Sequence, residues 1–125
     1  MNFDNILNCP TSTVLAMNDC LTVMNGKWKA PIIGTLLSGP KRFKDLENVI
    51  TKISPRMLSK ELKELELNNI VRRKVYDSRP VRIEYELTES GFMLKPIFGA
   101  MVKWGLQHRA DVFGKPENEI EEGFK

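Results

Sequence analysis

A chain of 125 residues with one histidine and two cysteines has little from which to build a reactive centre. A hydrolase or transferase needs a nucleophile beside a base, and no glycine-rich phosphate loop, nucleophile elbow or paired-carboxylate pattern accompanies His108. A zinc site would need three or four Cys or His ligands at close spacing. Cys9, Cys20 and His108 lie far apart, so neither a metal nor a cofactor is expected, and the lack of a Cys-x-x-Cys pair excludes a thiol oxidoreductase. Two cysteines are also too few for a secreted disulfide scaffold, and a helix through that stretch would set Cys9 and Cys20 about three turns apart. No apolar run nears the roughly 20 residues of a membrane span, and Met1-Asn2-Phe3-Asp4 lacks a basic segment leading into an apolar one. The expectation is a cytoplasmic protein, not membrane-bound and not an enzyme.

What is present is the material of an ordinary globular domain, because 42% of the residues are hydrophobic and 28% charged. The length suits one domain over 1–114, with an acidic, frayed tail over 115–125. The formal charge of +3 is unevenly spread. Residues 41–82 hold twelve Lys or Arg against six Asp or Glu, while residues 83–125 hold five against eight. A positive field confined to the middle third suits a polyanion-binding segment, although a charge cluster is more often just a solvated face.

The apolar spacing predicts the elements. Val14, Met17, Leu21 and Met24 mark a first helix capped by Thr11 or Ser12 and ended by Asn25-Gly26. A second runs from about Lys27 to Leu37 and stops at Gly39-Pro40. A short third helix carries Phe43, Leu46 and Ile50. The fourth is the best specified, with Ser54 as N-cap, Pro55 at the first helical position, and Leu58, Leu62 and Leu65 as a buried stripe. Arg56, Ser59, Lys60 and Lys63 then face the other way, and Leu67 shares their side, which suggests packing under the hairpin that follows. After Asn68-Asn69 the period falls to two: Val71 and Val75, a turn at Asp77-Ser78-Arg79-Pro80, then Val81, Ile83, Tyr85 and Leu87 alternating with Arg82, Glu84 and Glu86. Thr88 caps a single long C-terminal helix with an apolar stripe of Leu94, Ile97, Phe98, Met101, Trp104 and Gly105. Cys20 is expected in the core.

Three helices followed by a basic-tipped hairpin is the order of a winged helix-turn-helix, here mainly α with a small β-hairpin (α+β). The major groove is about 12 Å wide and admits one helix anchored on one face and donor-bearing on the other. The fourth helix, about Ser54 to Asn68, has that division. The expected DNA-facing set is Lys27, Arg42, Ser54, Pro55, Arg56, Ser59, Lys60, Lys63, Arg79 and Arg82, with the wing, about Asp77 to Arg82, on the adjacent minor groove or backbone. The stripe of Leu94, Ile97, Phe98, Met101 and Trp104 is larger than a small core can cover and points to a homodimer.

The chain also resembles the HxlR-type winged-helix regulators from Cys9 to Gly105. The resemblance lies in the order of Cys9-Pro10, Gly26-Lys27-Trp28-Lys29, Gly39-Pro40, Arg42-Phe43 with Leu46, Ile53-Ser54, Met57-Leu58 and Leu62-Lys63-Glu64-Leu65-Glu66. It continues through Val75-Tyr76, Pro80, Arg82, Glu84-Tyr85, Leu87-Thr88, Gly91 and Trp104-Gly105. It implies a homodimer joined through its N- and C-terminal helices, binding double-stranded DNA at a palindromic operator as a transcription regulator. It also makes Cys9 the redox-sensing candidate. Asn25, Thr51-Lys52, Asn68-Asn69 and Val81 depart from the family's usual residues. Asn tolerates the left-handed backbone a glycine would supply. No motif names a small-molecule effector. The competing reading is a winged-helix module that docks protein rather than DNA.

Overall fold

The structure, a computed structural model, describes residues 10–114. In order it contains α1 (Pro10–Val23), α2 (Lys29–Leu36), α3 (Phe43–Val49), α4 (Pro55–Leu67), the strands β1 (Val71–Tyr76) and β2 (Arg82–Leu87), a short α5 (Glu89–Phe92) and α6 (Lys95–Phe113). The chain divides after Gly91 into two compact units.

The first unit is built on aliphatic side chains of three helices. Ile32, Ile33 and Leu36 of α2, Leu46 of α3, and Leu58, Leu62 and Leu65 of α4 are almost wholly buried, closed in by Ile50, Ile53, Ile70, Val71 and Leu87. Each such side chain contributes roughly 1.5 to 3 kcal/mol through burial, so this cluster is the main force holding the three helices together. The two strands pair antiparallel from Val71 opposite Leu87 to Tyr76 opposite Arg82. A main-chain bridge adds a third contact, with the N–H of Lys41 donating to the Tyr85 carbonyl at 2.9 Å and that of Tyr85 donating to the Lys41 carbonyl at 2.7 Å. Val81 lies outside β2 and is exposed, and within β2 Ile83, Glu84, Tyr85 and Glu86 are all half-buried, so the expected alternation of inward and outward residues does not appear there.

Helix α1 is helical already at Pro10, which places Thr11 and Ser12 inside its first turn instead of at its cap. Val14, Leu15, Met17 and Leu21 remain exposed, and Cys20 is half-buried rather than in the core.

The single long C-terminal helix is two helices. Thr88 does cap the first, its Oγ1 accepting from the Gly91 N–H at 3.1 Å, but α5 ends at Phe92 and α6 begins afresh at Lys95. Pro96 is the reason: its ring would clash with the carbonyl four residues earlier, and it has no N–H to continue the ladder. In the second unit α6 starts with that proline in its first turn and ends at Gly114, whose φ of 60° is left-handed. Its 19 residues span about 28 Å, and none of them is fully buried. Among the described residues no helix is long and apolar enough to cross a membrane.

Candidate nucleic-acid interface

Helix α4 is defined locally at both ends. Ser54 Oγ accepts from the Met57 N–H at 3.1 Å, and Pro55 occupies the first turn. At the other end Asn69 takes a φ of 59°, while the N–H groups of Asn69 and Ile70 donate to the carbonyls of Glu66 and Leu65. This closing pair of bonds is the Schellman arrangement, with asparagine doing what glycine usually does. The helix is therefore held in length and register between two caps. Leu58, Leu62 and Leu65 face the core, and Arg56, Ser59, Lys60 and Lys63 are all exposed on the opposite side. Leu67 continues that outward stripe at 75% exposure, so it is not packed beneath the hairpin.

Further cations stand elsewhere in the same unit. Arg42 immediately precedes α3, where its N–H donates to the Asp45 carboxylate at 3.1 Å. Its side chain lines a shallow cleft of about 410 Å³ together with Ser78, Arg79, Pro80, Val81, Arg82 and Ile83. Arg42 and the wing arginines are thus brought together by the fold, although nearly forty residues separate them in sequence. The wing turn is tied internally by Ser78, whose hydroxyl donates to the Pro80 carbonyl at 2.8 Å. Arg82 is not a free charge, since its guanidinium sits 4.3 Å from the centre of the Tyr76 ring and its Nε 3.7 Å from Glu84. On the neighbouring strand Arg72 pairs with Glu86 at 3.1 Å. Lys27 lies just ahead of α2, its ammonium 4.7 Å from the Trp28 ring. Cys9 lies outside the described residues.

Sequence reasoning passed over the most constrained charges in the domain. Lys29, 8% exposed, donates from Nζ to Glu61 Oε2 at 2.8 Å and also to Glu64. Glu61 is equally buried. Burial opposes the charge on Lys29, but the hydrogen bonds and fields of Glu61 and Glu64 outweigh it and raise its pKa above the ordinary lysine value. Glu64 is lowered in turn, chiefly by its hydrogen bond to Lys29. A signal was present: at about 100° per residue Glu61 falls only about 40° from Leu65, at the edge of the inward face of α4.

Such an arrangement, a capped helix with leucines inward and cations outward beside a basic hairpin, is that of a duplex reader. Helix-turn-helix sequences of one kind correspond to it, because the pattern of the HxlR-like helix-turn-helix family matches residues 23–112. The chain belongs to that family. It is accordingly a DNA-binding transcription regulator of the HxlR type, with the winged-helix order of elements described above. It is 40% identical over 104 residues to the HTH-type transcriptional regulator YodB of Bacillus subtilis (strain 168), covering 83% of this chain and 88% of YodB. It is 39% identical over 98 residues to YkvN of the same organism, an uncharacterized HTH-type transcriptional regulator, covering 78% of this chain and 83% of YkvN. Among solved structures, the redox regulator HypR in its reduced form aligns with a TM-score of 0.74 at 37% identity, over 80% of this chain and 99% of HypR. Reduced YodB aligns with a TM-score of 0.67 at 40% identity, over 81% of this chain and 94% of YodB.

Proposed function

We propose that this HxlR-type regulator acts in the cytoplasm as a homodimer and reads a palindromic operator, with α4 of each protomer in the major groove. Arg56, Ser59, Lys60 and Lys63 meet bases and phosphates. Lys27, Arg42, Arg79 and Arg82 hold the flanking backbone or minor groove. One observation carries this reading: the cations of α4 are all exposed, directly opposite three leucines that are buried to within 1%. A helix fixed on one side and cationic on the other has the shape and charge the groove requires. Two such helices related by a twofold axis would meet half-sites one helical turn apart or a multiple of it. The seam is drawn from α6, where Met101 and Trp104 are exposed and Ile97 and Phe98 share their stripe. Leu94 is already 91% covered within the chain and is left out of it.

HypR is a redox regulator, and the likeness to it supports Cys9 as an oxidant-responsive thiol. Oxidant-dependent operator binding that Cys9→Ser retains unchanged would remove that role.

The decisive experiment is duplex binding at low ionic strength. Arg56→Ala combined with Lys60→Ala is expected to lower affinity for a selected operator by at least about tenfold, with the fold unchanged by circular dichroism. Equal binding by the substituted and unsubstituted chains would overturn the reading.

A further inference from the structure

We infer that Lys29 is the positioning residue of the recognition helix: its one buried ammonium, shared by Glu61 and Glu64, fixes how far α4 is rotated and advanced against α2, and so where Arg56 and Lys60 meet DNA. The inference rests on the reading of α4 as the DNA-facing helix.

The leucine stripe alone leaves that setting loose. Apolar burial is non-directional, so Leu58, Leu62 and Leu65 hold α4 against the core without specifying its rotation to a few degrees. Charge-assisted hydrogen bonds are different, being short and steep in distance and angle. Glu61 and Glu64 lie about 4.5 Å apart along the helix axis and about 60° apart around it. Both converge on Lys29 Nζ, which projects from the first turn of α2. Two anchors on one helix, offset both along and around the axis and tied to one atom of another helix, resist sliding and rotation together.

This control reaches the DNA face because α4 is rigid between its caps. Arg56, Lys60 and Lys63 lie on the far side of the same helix. With a helix diameter of about 10 to 12 Å, a rotation of about 20° moves an outward side-chain tip by about 2 Å. That is more than half of the roughly 3.4 Å step between bases, and far more than a bidentate contact tolerates. Stability does not require such a clamp, since well-packed apolar residues replace a buried ion pair at little or no loss. No buried side-chain polar atom among the described residues lacks a partner, so the charged cluster is completely satisfied where it stands. The three charges are retained for the geometry they impose.

The test compares the unsubstituted chain, Lys29→Arg, and Lys29→Met combined with Glu61→Leu. Each is titrated against the duplex that the unsubstituted chain selects from a random pool and against an unrelated duplex of the same length. The apolar double variant is expected to melt at an unchanged or higher temperature and to bind the unrelated duplex as before, while its preference for the selected duplex falls at least about tenfold. Lys29→Arg, which can still hydrogen-bond both carboxylates, is expected to keep the preference within about threefold. A folded double variant whose preference stays within about threefold would overturn the inference. So would a double variant that no longer folds, since the clamp would then be serving the fold itself. Failure of the unsubstituted chain to bind any duplex would instead sink the DNA reading and this inference with it.

Discussion

Gly91 lies so close to Ile70 that a Cβ there would come within 2.5 Å of the Ile70 carbonyl oxygen and 3.0 Å of Leu87. The carbonyl cannot withdraw freely, because it accepts the Thr88 N–H at 3.0 Å where the hairpin closes onto α5. Gly91→Ala is therefore expected to lower stability by about 1 to 3 kcal/mol, as other overpacking substitutions do. A drop in urea midpoint with unchanged slope would be the signature. An unaltered midpoint would contradict the packing described.

The Lys29 cluster predicts a pH dependence of definite sign. Its hydrogen bond and charge hold the Glu64 carboxyl below the ordinary 4.5, with burial opposing and Lys60 assisting. A carboxyl with a lowered pKa in the fold stabilises fully above its unfolded value, and that contribution is lost as the pH falls through the folded one. Lys29 is shifted the other way, above 10.5, so its contribution persists through neutrality and disappears only as the pH rises past that value. The urea midpoint of the unsubstituted chain should exceed that of Glu64→Gln near about pH 7 by more than it does in acid well below 4.5. A gap of equal size at both would refute the assignment.

Lys52, between α3 and α4, adopts a φ of 71°. The left-handed region costs an ordinary residue roughly 1 to 2 kcal/mol, and glycine gives back about 0.5 to 1 kcal/mol in chain entropy. Lys52→Gly should then raise stability by up to about 1 kcal/mol, measured by thermal or urea melting. A clear loss would show that the lysine side chain compensates its own backbone.

If the exposed stripe of α6 forms the seam, charge there will open it. Met101→Glu with Trp104→Glu should sediment as a monomer at micromolar concentration, where the unsubstituted chain sediments as a dimer. Operator affinity should fall at least about tenfold with it, since the two half-sites would no longer be bound as a linked pair. A dimer that survives both substitutions would place the interface elsewhere.

The parts of the fold set by local rules were legible in the sequence. Ser54-Pro55 announced the start of α4, its leucines announced the inward face, and the change of period after Asn69 announced the hairpin. What escaped depended on partners distant in sequence or on one residue's veto. Pro96 was outvoted by a continuous apolar stripe, so the break before α6 was missed. Glu61 drew no notice because its partner, Lys29, lies 32 residues away on another helix. The joining of Arg42 to the wing arginines was equally invisible, because it arises from a bridge between Lys41 and Tyr85 and from no local pattern.

That bridge carries a consequence for how such a regulator can diversify. It is made by peptide groups alone, two N–H and two C=O, so the side chains at both positions can be exchanged without altering it. Arg42 follows it directly on one side and Arg82 stands three residues away on the other. The distance between these two cationic outposts is thus inherited from the main chain, leaving relatives free to rewrite the neighbouring letters while a proline at either stitched position would tear the wing loose.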